Sequence, residues 1–321
     1  MSVKRDQFTE MMKKDLYGYF WESYPEIPPR YEQIFEVVES KAAYEMFTTA
    51  IGLGELLEKP EMEDIQSDTP MESYTIVCKN RAFARSVTLS KESIEDAQKG
   101  GNLLSTVVGS WGKEIPRTKE KFYAQFFNYG AYTAGHAVFN NSIPNVVSDP
   151  SGNFIYDGQP FFSDAHPDKV GNTYSNYLAS TSLTYDNLKA AYTRYTDTNS
   201  RDERGEKIEQ EPDVLLIPRG DMRFTAQEIL NSEKEPGVFD NTTNVLRNII
   251  QPLEWAYLKD SDGWFLGKLK AGLMATDRMA DIEIDFFQNE IQKSYTATVY
   301  TRFGGAVTSW KMWISANIST S

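Results

Sequence analysis

The chain has one cysteine, Cys78, and only two histidines, His136 and His166, in 321 residues. A single thiol excludes an intrachain disulfide, and no Cys-x-x-Cys pair or Cys/His cluster exists to hold structural zinc. Both absences fit a reducing compartment. No apolar run reaches the roughly eighteen residues of a membrane-spanning helix, and Met1 to Asp6 leads into a polar amphipathic pattern rather than a signal-peptide core. Positive charge is scarce: 33 Lys and Arg stand against 46 Asp and Glu, for a formal charge of −13. Tight nonspecific binding to nucleic acid is therefore disfavoured, since it depends on cationic side chains displacing counterions from phosphates. The glycine pairs Gly52/Gly54, Gly100/Gly101 and Gly304/Gly305 lack the Lys-Ser/Thr or Gly-x-Gly-x-x-Gly context of a phosphate cradle, and they read as turns.

Aromatic residues, by contrast, are plentiful: 18 Tyr, 18 Phe and 6 Trp offer the amphipathic contact area that suits interfaces. Phe8, Met11, Met12, Leu16 and Phe20 recur at helical spacing, and then Pro25, Pro28 and Pro29 force extended backbone. This N-terminal stretch has no evident core of its own, so it must pack on the main body or on a neighbour. From residue 52 an excursion passes through an acidic tip, with Pro60, Asp64 and Pro70. It returns along Tyr74–Val77 and Ala82–Leu89, strand-like segments in which Phe83, Ser86 and Thr88 depart from clean alternation. A two-stranded loop of this size is marginal alone and is expected to lie on a partner. Leu103, Leu104, Val107, Val108, Trp111, Ile115, Phe122, Phe126 and Phe127 predict a long helix ending near Gly130 or Gly135 and kinked or interrupted at Pro116.

The next segment, 136 to about 182, is rich in Gly, Asn, Ser and Pro and reads as irregular surface. A helix then begins at Leu183-Thr184, with Thr184 as N-cap, Asp186 in the first turn and Leu183 with Leu188 as a hydrophobic staple. Val214–Ile217 predicts a buried strand, Phe224–Ser232 a second helix, and the C-terminal third several strands, among them one from Val307 to Ile314.

Chemistry is sparse. His166 with Ser163, Asp164 and Asp168, joined by Asp149 or His136 through folding, is the one constellation that suggests a catalytic dyad or metal site. No Gly-x-Ser-x-Gly or His-Glu-x-x-His motif supports it, and a histidine fixing a turn before Pro167 is the simpler reading. Asp281, Glu283 and Asp285 alternate with Ile282, Ile284 and Phe286, which describes a solvated strand face opposite a buried one. The basic set Lys79, Arg81, Arg85 and Lys91 is suited to pair with an acidic tip from a neighbouring copy. Neither a cofactor nor a metal site is expected.

Taken in order, several pieces resemble the major capsid proteins of tailed bacteriophages of the Hong Kong 97 type. They are Tyr24-Pro-Glu-Ile-Pro-Pro29, Ser90-Lys-Glu-Ser-Ile-Glu-Asp96, Asp157-Gly-Gln-Pro-Phe-Phe-Ser-Asp-Ala-His-Pro167, Gly171 with Ser175-Asn176, Leu183–Leu188, Pro212–Pro218, Ala226–Ser232 and Trp264-Phe-Leu266. The resemblance implies an α+β fold. Residues 1–50 would be an N-terminal arm and 51–90 an extended loop; 91–144 with 261–321 would form a peripheral domain built on a long spine helix, and 145–260 an axial domain. It implies self-assembly as pentamers and hexamers into an icosahedral head, assembled in the bacterial cytoplasm around double-stranded DNA that is enclosed without sequence-specific binding. An acidic wall past which the genome slides would suit that role, although solubility alone explains the charge equally well. Implied partners are a portal, a separate scaffold or protease and decoration proteins, with no membrane. The intersubunit contacts expected on this basis are Trp21, Tyr24, Glu61, Glu63, Asp64, Arg81 and Arg85. The rivals are an encapsulin-type compartment of the same fold and, from another class, a soluble hydrolase built on the two histidines.

Overall fold

The computed structural model describes residues 14, 17–24, 29–51, 59, 71–90, 92–93, 100–133, 136, 157–236, 242–277 and 282–318. A long helix, α3 (Gly100–Asn128), lies against a five-stranded sheet, and a second five-stranded sheet follows at its C-terminal end. The first sheet runs β1 (Glu36–Glu39), β11 (Leu273–Asp277), β13 (Ser294–Val307), β12 (Glu283–Asn289). Strand β4 (Arg81–Ser90) pairs with the other edge of β13. The second sheet is ordered β7 (Tyr177–Leu178), β14 (Trp313–Ala316), β10 (Trp264–Gly267), β8 (Val214–Pro218), β9 (Gln251–Trp255). Because β10 and β14 share it with β8 and β9, this sheet crosses the division expected at residue 260.

The helix is not interrupted at Pro116. Proline lacks the amide that would reach back one turn to the Gly112 carbonyl, so one helical hydrogen bond is missing there. Helical residues 17–23, here α1, cross α3 at this point: a Cβ on Gly112 would lie 2.6 Å from the Phe20 carbonyl oxygen, and one on Gly109 would lie 2.9 Å from Ser23 Oγ. Phe20 is thereby buried with Val108, Ile115, Ile282, Phe286, Ala297 and Val299. The earlier members of the expected amphipathic segment lie outside the described residues.

Further along α3, Phe122, Tyr123, Phe126 and Phe127 enter a larger core with Phe35, Phe162, Phe265, Phe303 and Trp313. Lys119 Nζ meets Asp277 Oδ2 at 2.5 Å, while Glu120 accepts from Trp255 Nε1 and from the Arg30 amide. Burial pushes the Glu120 carboxyl above its ordinary range, and the hydrogen bonds from Trp255, Arg30 and Tyr31 hold that rise in check.

A third cluster joins the second sheet to α4 (Tyr185–Thr193) and α5 (Met222–Asn231). Thr184 caps α4, its side chain accepting from the Asn187 amide, and Leu183 and Leu188 are both buried. Strand β8 is buried along its whole length between an antiparallel and a parallel neighbour, which is why it reads as an unbroken apolar run.

Several expectations fail for tertiary reasons. Gly304 and Gly305 are not a turn but the interior of β13: a Cβ on Gly304 would meet the Lys79 carbonyl oxygen at 2.4 Å, and one on Gly305 the Phe126 and Tyr123 rings at 3.1 Å. Gly100 and Gly101 begin α3. The strand expected from Val307 to Ile314 is split by a 3₁₀ turn, Trp310–Met312, where the chain passes from one sheet to the other. Strand β4 keeps one register along its whole pairing with β13. Arg81, Phe83 and Arg85 stand opposite Phe303, Thr301 and Val299 on the helix-facing side, whereas Ser86 and Thr88 share the outer side with Thr298 and Thr296.

Candidate functional site

Strands β2 (Tyr44–Ile51) and β3 (Met71–Lys79) form an antiparallel hairpin that is a sheet of its own, and its first strand starts before the boundary expected at residue 51. At about 3.3 Å per residue, β3 spans roughly 30 Å. The root is fixed by a small apolar cluster of Ile76, Cys78 and Ala306 with Phe47 against it. Beside it runs a buried polar chain: Cys78 Sγ to Thr276 Oγ1 at 3.3 Å, Thr276 Oγ1 to Asn80 Oδ1 at 2.7 Å, and Asn80 Nδ2 to Ser40 Oγ at 2.7 Å. Burial pushes the Cys78 thiol up to about 11, with the Thr276 hydrogen bond opposing, so the thiolate needed for reactivity is scarce at neutral pH.

At the hairpin root, α3 and β4 diverge to leave a groove of about 1050 Å³. Phe83 and Phe303, stacked at 4.1 Å between ring centroids, form its floor, with Trp111 and Ile115 on the helix side and Arg81 and Arg85 on the strand side. Segment α1 covers the β12 side of the same helix, where the Tyr17 hydroxyl donates to the Ile282 carbonyl oxygen at 3.1 Å. The two sides of α3 therefore differ: α1 fills one, and an open groove with two arginines lies along the other. The acidic tip residues Glu61, Glu63 and Asp64, and Lys91, lie outside the described residues. Trp21 is 43 % exposed, with its ring 5.4 Å from that of half-buried Tyr24. Exposed apolar side chains also occur at Tyr44, Met46, Phe224, Val245, Ile249, Phe287 and Ile291. The alternation around Ile284 holds as expected: Glu283 and Asp285 are exposed and Phe286 is buried. Asp281 lies outside the described residues.

The histidine constellation is not assembled as the sequence suggested. His166 is fully buried, its ring stacked on Trp310 at 4.3 Å and 4°. Its Nδ1 meets Asp157 Oδ2 at 2.7 Å, and its Nε2 meets Asn176 Oδ1 at 3.1 Å. The Asn176 amide nitrogen donates to the carbonyls of Phe161, Trp313 and Trp310, so Oδ1 is the accepting end and the Nε2 position carries a hydrogen. The hydroxyl of Ser163 is engaged by Gln159 and the Ala165 amide, Asp164 is exposed, and His136 lies against Tyr132. Asp149 lies outside the described residues.

Asp168 closes its own loop, accepting from the amides of Val170 and Asn172 and from Asn172 Nδ2. Burial opposes ionisation of its carboxyl, but these hydrogen bonds outweigh burial and hold it below the ordinary 3.8. Among the described residues no three His, Cys, Asp or Glu side chains converge on a possible metal position. Nor is any helix there long and apolar enough to cross a membrane. Asp157 and Asn176, the true partners of His166, lay in plain view in the motif 157–176. Nothing local marks them, because their pairing depends on how an irregular loop folds back.

No protein-family model matches the chain, and no curated protein matches it by sequence. Solved structures do. The capsid of Ralstonia phage GP4 is similar over 94 % of each chain, with a TM-score of 0.53 and 13 % identity. A structure from Mycobacterium phage Bobi covers 92 % of each chain at 0.54 and 12 %. The capsid of a native GTA particle covers 89 % of this chain and 88 % of its own at 0.53 and 13 %. At such identity the likeness speaks of the backbone, and it runs nearly end to end: the chain has the α+β capsid fold of the Hong Kong 97 type.

Proposed function

We propose that this chain is a major capsid protein that assembles with copies of itself, as pentamers and hexamers, into an icosahedral head around phage double-stranded DNA. The observation that carries the reading is the nearly complete mutual coverage with the GP4 capsid, which leaves little of either chain for another role. A hairpin projecting from the body, an arginine-bearing groove and exposed aromatic residues are the features a subunit with several neighbours would need. Each such contact can be weak. Closure of a symmetric shell multiplies them, because every subunit is held by several others at once.

In this reading the N-terminal segment before β2 acts as the arm and the β2–β3 hairpin as the extended loop. A peripheral domain is built on the spine helix α3 and the first sheet, and an axial domain on the second sheet with α4 and α5, so the division near 260 gives way to the one the sheets draw. Glu61, Glu63 and Asp64 of one copy seat on Arg81 and Arg85 of the next, while Trp21 and Tyr24 meet another neighbour. Portal, separate scaffold or protease and decoration proteins are the further partners, the virion is the destination, and assembly takes place in the host cytoplasm. The net charge of −13 suits a wall that encloses DNA without gripping it.

Expression of the chain followed by size-exclusion chromatography and negative-stain electron microscopy tests the reading. Closed shells, or discrete pentamers and hexamers, are expected; a compact monomer that stays monomeric with a matched scaffold would overturn it. Nuclease-protected DNA inside the particles separates a head from a protein-cargo compartment. Reversing Arg81 and Arg85 together to Glu is expected to abolish shells, with partial recovery when Glu61, Glu63 and Asp64 become Lys. Normal shells from the double reversal would remove that pairing.

A further inference from the structure

The β2–β3 hairpin is anchored at its root, yet it also touches the body well above the root. In the middle of β3 the Tyr74 ring lies under Lys169 Nζ, 3.8 Å from the ring centroid, and the Tyr74 hydroxyl is 3.5 Å from the Pro167 carbonyl oxygen. The backbone is shaped for this contact. Thr48 pairs with Thr75 and Ala50 with Glu72, so Ser73 and Tyr74 together oppose the single residue Thr49. That is a β-bulge, which bends the strand and re-aims a side chain. The other half of the contact stands on rigid ground. Lys169 lies between Asp168, which binds the amides of Val170 and Asn172, and the Glu203 carbonyl, which accepts from the Lys169 amide at 3.3 Å. Three residues before Lys169 is the buried His166, held by Asp157, Asn176 and Trp310.

We infer that Tyr74 and Lys169 form a latch that sets the direction of the hairpin's outer half, making Tyr74 and Lys169 positioning residues for the contacts the hairpin makes with another copy. A two-stranded sheet with no third strand resists bending poorly by itself. The bulge supplies a bend at one point, and the cation on the ring fixes its angle relative to the 166–174 loop. A turn of a few degrees at Tyr74 displaces the outer ends of both strands, at Ile51 and Met71, so a small local contact governs where the hairpin points. The consequence for assembly rests on the shell reading; the latch itself does not.

Hydrogen exchange on the full chain, read by mass spectrometry, tests the latch whether or not shells form. Lys169→Gln removes the cation from an exposed loop position without disturbing the core, and Tyr74→Ala removes the ring. Each is expected to speed exchange across 71–79 by about twofold to tenfold, the range set by a cation–π contact of this kind. The double variant is expected to be no faster than Tyr74→Ala, and Lys169→Arg and Tyr74→Phe should stay near wild type, with 214–218 unchanged throughout. Wild-type exchange in Lys169→Gln, or additive effects in the double variant, would overturn the latch. If wild-type shells form, Lys169→Gln is expected to broaden their diameter distribution. An unchanged distribution alongside faster exchange would overturn the positioning role while leaving the latch, and failure of the wild type to form shells would strike the shell reading alone.

Discussion

The two ends of the long helix α3 live in different surroundings. Its C-terminal half sends Phe122, Tyr123, Phe126 and Phe127 into a core closed on all sides by two sheets, with Phe127 packed edge-on against Trp255, Phe265 and Trp313. Its N-terminal half is a wedge: Val108 is buried with Phe20 of α1, while Trp111 and Ile115 border an open groove. The inner region completes itself within one chain. The outer one keeps apolar and charged groups in reach of solvent. Closed packing and an open groove are thus separated along a single helix.

The largest effect is expected from Phe127→Ala, which opens a cavity where the two sheets and the helix meet. A loss of about 3–5 kcal/mol in unfolding free energy follows from the size of the deletion. Denaturant unfolding measures it, and a loss below that range would mean the inner core collapses to fill the space.

Asn176→Ala attacks the same region through polarity, taking a hydrogen bond from each of three buried carbonyls and the shared acceptor from the Ser163 amide and His166 Nε2. About 3 kcal/mol is expected, since each unsatisfied buried group costs about 1–3 kcal/mol and water can enter to serve some of them. Asn176→Asp, which keeps the acceptor but sets a carboxylate oxygen against those three carbonyls, should cost at least as much.

Gly112→Ala probes the outer wedge alone. The added Cβ would sit 2.6 Å from the Phe20 carbonyl oxygen, and backbone cannot swing aside as a side-chain tip can. The expected cost is about 1–3 kcal/mol. Exchange should quicken in 17–23 while 214–218 keeps its protection; loss of protection in both would show that the two regions unfold as one.

The smallest effect is a pH dependence at Asp168. Its carboxyl is held below the ordinary 3.8, so the ionised form stabilises the fold above that pH, and the contribution is lost as pH falls through the lower folded-state value. Wild type should melt above Asp168→Asn at pH 7, and the gap should close in strong acid. A gap that persists there would assign the difference to geometry instead of charge.

Much of the second sheet's neighbourhood was legible in the sequence because its signals are local. A hydroxyl at Thr184 meets an amide three residues on, Leu183 and Leu188 flank that cap, and Val214–Ile217 is apolar without a break because both of its faces are covered. Alternation through Ile282, Ile284 and Phe286 likewise announced a face before any partner was known. The candidate site was less visible. Trp111 reads as one apolar position of a helix and Phe83 as a break in a strand's alternation, and only the packing of α3 against β4 and β13 sets them around one groove.

By itself, then, the sequence determined the long helix, the cap of α4, the buried strand β8 and the acidic excess, all of which depend on neighbours a few residues away or on composition alone. Tertiary structure decided that Gly304 and Gly305 lie within a strand, that His166 answers to Asp157 and Asn176, and that the Ser73–Tyr74 bulge leans on Lys169. Those pairings join residues brought together by the path of the backbone. The energy that fixes them, burial of a ring or satisfaction of a donor far from water, exists only once that path is folded.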